Sequence, residues 1–154
     1  MDGIEHPLGL PFGLHMARIQ HNTKLNQLVV DLGRSLLQFV GEISPWTPSN
    51  AAAARDAVAR LVSQQQRDVT RLTDLLVERG CPIDFGMYPA DFTDLHFVSL
   101  KSLLPRVIAS QEALVAELDE AAHTCIDDPE AVTVLGEILS SERAGTEELK
   151  TLKA

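Results

Sequence analysis

Little in this sequence suits a membrane, a nucleic acid or a disulfide framework. No apolar run approaches the roughly 20 residues that span a bilayer. Positive charge is scarce. Thirteen Lys and Arg against 22 Asp and Glu leave a net charge of −9. That balance repels phosphate backbones and anionic lipid surfaces, so neither nucleic acid nor membrane is an expected partner. The opening stretch, MDGIEHPLGLPFG, has no basic start leading into an apolar segment, so no secretory signal is expected. Cysteine is limited to Cys81 and Cys125, without C-x-x-C spacing. Thioredoxin-like and zinc-ribbon readings therefore drop out, and the cytoplasm is the expected compartment. No glycine loop for phosphate is present, and no Ser or Cys has a base at motif spacing. Strand patterning is nearly missing too.

What is present is helical periodicity. Residues 1–12 carry Pro7, Pro11, Gly3 and Gly9 and read as an extended arm, leaving 13–154 as one domain. Leu25, Leu28, Leu32, Leu36, Phe39 and Ile43 then mark one face of a first helix, A, over about 15–43, which SPWTPSN ends. Helix B, about 50–79, has Ser49 or Asn50 as its expected cap and the stripe Ala54, Val58, Leu61, Leu72, Leu75 and Leu76. Gly80 and Pro82 close it. Helix C follows the connection CPIDFGMYPADFTD, with Thr93 or Asp94 as cap and a kink expected at Pro105. Helix D starts at DDP, with Asp127 or Asp128 as cap and Pro129 at the favoured first position. Four amphipathic helices predict an all-α four-helix bundle. Extended at about 3.3 Å per residue, the B–C connection has the length to cross from one end of helix B to the other, at about 1.5 Å per residue.

The stripes have polar gaps. In helix B the step from Leu61 to Leu72 passes through Gln65 and Asp68; in C the step from Val107 to Leu114 passes through Gln111. In D the step from Ile138 to Leu149 passes through Glu142 and Gly145. Helix A has Leu32 at its centre and no gap. A buried polar group without a partner costs about 1–3 kcal/mol, so these side chains are expected to meet one another.

The pattern resembles the ferritin-like proteins, bacterioferritins and rubrerythrins in particular, from about residue 18 onward. LNQLVVDLGRSLLQFV is similar to their first helix, QQQRDVTRLTDLLVERGCP to their second and EILSSERAGTEELKTL to their fourth. The resemblance implies a long B–C crossover and a homodimer through helices A and B. It also implies a di-iron site built from Glu, Glu-x-x-His, Glu and Glu-x-x-His. Those positions fall on Leu32, on Gln65 and Asp68, on Gln111 (or Ala109, across a one-residue gap), and on Glu142 and Gly145. Only Glu142 keeps the family residue. The expectation is a degenerate site closed by hydrogen bonds, in a structural or protein-interaction module rather than an enzyme. Two alternatives stay open. One is a divergent iron or manganese oxidoreductase, with Asp68 and Glu142 holding a weakly bound divalent metal. The other is a small-molecule or lipid-binding bundle using the space at Gly145. His15, His21, His96 and His123 include no pair four apart, and His21 is the best outside candidate for a ligand. The aromatic loop FGMYPADF is expected to pack over the bundle.

Overall fold

The computed structural model describes the backbone from Phe12 and the side chains from Arg18 onward. The arm expected over residues 1–12 lies outside the described residues, except that Phe12 already opens the first helix. The described chain is all-α, with no strand. Its helices are α1 (Phe12–Gly33), α2 (Leu36–Ile43), α3 (Ala52–Glu78), α4 (Leu100–Thr124) and α5 (Pro129–Thr151). No described helix is long and apolar enough to cross a membrane.

The first departure from expectation is inside helix A. One continuous helix was expected over 15–43, and the chain instead breaks after Gly33. Ser35 adopts an extended backbone (φ −68°, ψ 162°), and its Oγ accepts a hydrogen bond from the Gln38 N–H at 3.2 Å. It is therefore the N-cap of a new helix. α2 then ends at Ser44, in the left-handed region at φ 45°, with its N–H bonded to the Val40 carbonyl.

Two expected caps also move. Neither Ser49 nor Asn50 caps α3 through its side chain; both sit in a short 3-10 turn, Ser49–Ala51, that winds into the helix. Thr93 and Asp94 lie in another 3-10 turn, Ala90–Leu95, and α4 is capped by Ser99, whose Oγ accepts from Ser102 N. Burial decides this: Leu95 and Leu100 are both buried in the core, and the cap sits where the chain can leave one and enter the other. α4 then runs through Pro105, on its exposed side, without ending. The remaining termini match the sequence reading. α3 closes with Gly80 at φ 68° and the paired bonds Gly80 N–H to Val77 O and Cys81 N–H to Leu76 O, a Schellman closure. Asp128 caps α5, accepting from Ala131 N at 3.3 Å, with Pro129 first in the helix.

α1 packs on α3, α3 on α5, α5 on α4, and α4 on α1 and α2. The chain between α3 and α4 follows α1 and α2 along their length. Asn26 pairs with the Asp84 backbone, Arg34 Nε donates to Gly86 O at 3.2 Å, and Tyr88 Oη donates to Glu42 at 2.7 Å. Finally Leu100 N reaches Trp46 O at 3.1 Å. Of its aromatic residues, Tyr88 and Phe92 pack against Phe39, each with ring centroids 5.4 Å away, while Phe85, like the neighbouring Met87, is exposed. Burial, then the Glu42 acceptor, pushes the Tyr88 phenol up to about 12.

One glycine fixes this path. Gly86 has φ 63°, and a Cβ there would stand 2.5 Å from Val30 Cγ1. The valine is β-branched and stiff at χ1, so it yields poorly. Gly86→Ala is expected to cost about 2 kcal/mol through backbone strain and overpacking. Chemical denaturation of the variant beside the parent measures this.

The core falls into two apolar clusters. One gathers Leu25, Leu28, Leu32, Leu72, Leu118, Leu135 and Ile138, and the other Leu36, Phe39, Leu61, Leu103, Val107 and Leu149. α3, α4 and α5 each pass from one cluster to the other, α1 lies in the first and α2 in the second, and a polar layer occupies the crossing.

Candidate functional site: a polar layer between two apolar clusters

The layer is built from the sequence-predicted residues. Gln65, Asp68, Gln111 and Glu142 are all buried, none more than 4% exposed. Each is carried inward because it continues the apolar stripe of its helix through one turn. Gln65 Nε2 donates to Glu142 Oε2 at 3.0 Å and to Gln111 Oε1 at 3.2 Å. Gln111 Nε2 donates to the same Glu142 oxygen at 2.9 Å. Two amides from two helices thus converge on one carboxyl oxygen of a third. Ala109, the other position considered on α4, is exposed and takes no part.

The fourth side of the layer was missed in the sequence. Helix A contributes Ser35 and Gln38. Ser35 Oγ donates to Gln65 Oε1 at 2.6 Å, and Gln38 Nε2 donates to the same oxygen at 3.1 Å and to Val62 O at 3.0 Å. Gln66 Nε2 then donates to Gln38 Oε1 at 3.2 Å. The bonds form one oriented chain, Gln66 to Gln38 to Gln65 to Glu142, in which the Gln38 and Gln65 amides both donate and accept. The signal was present as Ser-x-x-Gln at residues 35–38, the first half of a capping box following a glycine.

Asp68 occupies the α3–α5 side. Ser141 Oγ donates to its Oδ2 at 2.7 Å, Gln64 reaches its Oδ1 at 3.5 Å, and Arg71 Nη1 lies 3.6 Å from that oxygen. The neighbouring Glu142 carboxyl is pushed up to about 8. Burial is the largest cause, and the Asp68 carboxyl, which a protonated Glu142 can hydrogen-bond, is the next. The Gln65 and Gln111 N–H groups pull the other way and do not win. At neutral pH the buried Glu142 carboxyl therefore keeps its proton.

Leu32 and Gly145 contribute no polar atom. Leu32 is fully buried in the first apolar cluster. A Cβ on Gly145 would lie 3.3 Å from Leu61 Cδ2, so the glycine admits a neighbouring side chain. The donor set does not suit a di-iron centre. Such a centre needs carboxylate and imidazole acceptors, whereas this layer directs N–H groups at one of its two acids. Among the described residues no group of three or more His, Cys, Asp and Glu side chains is arranged to hold a metal ion.

Of the histidines, His21 is buried, but away from the layer. Its Nδ1 is 3.4 Å from Asp128 and its Nε2 3.3 Å from Asp127. Arg79 forms a forked pair with Asp128 there, at 2.6 and 2.8 Å. His96 and His123 are exposed, and the His15 side chain lies outside the described residues. Cys81 and Cys125 are free thiols, Cys125 fully buried.

Comparison with protein-family models, curated proteins and solved structures finds no match to this chain.

Proposed function

We propose that this chain is a ferritin-like four-helix bundle in which α1 and α2 together form the first helical rod and the connection between α3 and α4 is the long crossover. In this reading the di-iron centre is replaced by a hydrogen-bonded layer. The protein acts as a non-catalytic structural or protein-interaction module, paired as a homodimer through α1, α2 and α3. The observation that carries the reading is the convergence of Gln65 and Gln111 on Glu142 Oε2. A metal ion at this carboxyl would have to displace both amide donors and the proton that Glu142 keeps, and would find no third acid or imidazole in return. The path of residues 79–99 alongside α1 and α2 supports the crossover.

Elemental analysis and melting of the purified protein test this. The expected result is less than about one tenth of an equivalent of iron or manganese, and a melting temperature unmoved by chelator or by added Fe(II) or Mn(II), because a ligand stabilises only the fold that binds it. Stoichiometric metal, or a melting temperature that rises with metal, overturns the reading in favour of the oxidoreductase. Light scattering on the same sample is expected to give a dimer mass, and a monomer mass at all concentrations removes the homodimer.

A further inference from the structure

Away from the polar layer, where α2 hands over to α3, Val40, Val58, Val62 and Leu100 wall a half-open cavity of about 210 Å³. It exists because α2 stops at the left-handed Ser44 and Pro45 leads the chain away, while α2 and α3 stay in contact further in. At that contact a Cβ on Gly41 would stand 2.9 Å from Val62 Cγ2. The lining is mostly apolar and carries one charge, Arg55, whose side chain is 62% exposed and so belongs to the solvent side. Arg55 Nε donates to Asp56 at 3.4 Å, and its two Nη groups meet no acceptor among the described residues.

A half-open apolar wall and a guanidinium with free donors call for an amphipathic anion. A cavity of about 150 Å³ accepts a benzene ring, so this one has room for a chain of roughly six to eight carbons. A carboxylate suits the forked geometry of a guanidinium. We propose that this cavity binds a medium-chain carboxylate, its hydrocarbon between Val40, Val58, Val62 and Leu100 and its head group on Arg55. The site is independent of the filled polar layer and of the structural role assigned above. The chain's net charge of −9 opposes anions at long range, so any preference for the carboxylate rests on Arg55.

Methyl NMR titration with octanoate, and with 1-octanol as its uncharged match, tests the site. Saturable shifts are expected at the Val40, Val58 and Val62 methyls, with octanoate bound at least about fivefold more tightly than octanol. Arg55→Ala is expected to bring octanoate down to the octanol level and leave octanol unchanged. Ala59→Phe fills an exposed lining position and is expected to abolish binding of both. Absence of saturable shifts, shifts confined to other residues, equal affinity for octanol, or unaltered binding in Ala59→Phe would each overturn the proposal. The comparison of octanoate with octanol uses the unaltered protein, so it stands even if a variant folds poorly.

Discussion

Glu142→Gln should flatten the pH dependence of stability between about pH 4.5 and 8. The Glu142 carboxyl titrates near 4.5 in the unfolded chain and near 8 in the folded one. Between those values the folded state holds a proton that the unfolded state has released. Stability then falls as pH rises, by up to about 1.4 kcal/mol per pH unit. The contribution is complete below the unfolded value and is lost as pH rises through the folded one. Glutamine imitates the protonated acid. Its carbonyl can accept from Gln65 and Gln111 as Glu142 Oε2 does, and its amide can donate toward Asp68. At pH 5 the variant is therefore expected within about 1 kcal/mol of the parent, and at pH 8 it is expected to be the more stable of the two by several kcal/mol. Groups remote from Glu142 titrate in the same window, but they are common to both proteins and cancel in the difference. Denaturant unfolding at pH 5, 6.5, 8 and 9 measures it. Parallel pH profiles would mean that Glu142 is ionised in the folded state.

The same layer marks what the sequence discloses and what it withholds. Gln65, Asp68, Gln111 and Glu142 were legible because an α-helix has a fixed period and each of them interrupts a stripe that is otherwise apolar. Once a helix is amphipathic, a polar residue on its apolar face has to be buried. Ser35 and Gln38 escaped because the stripe of helix A continues through Leu32, Leu36 and Phe39 without a gap. After the break at Gly33 the chain from Ser35 to Val40 is buried on every side, so Ser35 and Gln38 go inward together with the stripe. Periodicity sees one face and is blind to a turn that is buried all round. Capping chemistry reports the break, and Ser-x-x-Gln after glycine was the available report. The start of α4 fails for a related reason. Thr93, Asp94 and Ser99 are all competent caps, and only the burial of Leu95 and Leu100 selects among them. The chemistry at Arg79 and Asp128 lies beyond any local pattern, since the two residues are 49 positions apart and meet only when the end of α3 reaches the start of α5.

That pair carries the other large effect. Arg79→Met is expected to cost about 3–5 kcal/mol, because it leaves a buried carboxylate without its countercharge. Arg79 and Asp128 side chains are only 6% and 5% exposed. Burial pushes the Asp128 carboxyl up, yet the Arg79 fork and the Ala131 N–H outweigh it and hold the group below the usual carboxylate range. The arginine also donates to Asn22 Oδ1 at 2.8 Å, so one guanidinium ties α1, the end of α3 and the cap of α5. For a chain of this size each kcal/mol moves the melting temperature by about 2–4 °C, which sets the expected drop at roughly 10 °C. A second substitution separates charge from packing. Asp128→Asn keeps an N-cap oxygen for Ala131 but removes the buried charge. If the cost of Arg79→Met is the unpaired carboxylate, the double variant should recover about 1–3 kcal/mol relative to Arg79→Met alone. Additive losses would instead place the cost in the methylenes and the Asn22 bond. The two buried acids thus call for opposite substitutions. Glu142 stays buried by keeping a proton, so a neutral amide can replace it at little cost. Asp128 stays buried by keeping a cation, and removing that cation is tolerated only when the charge goes as well.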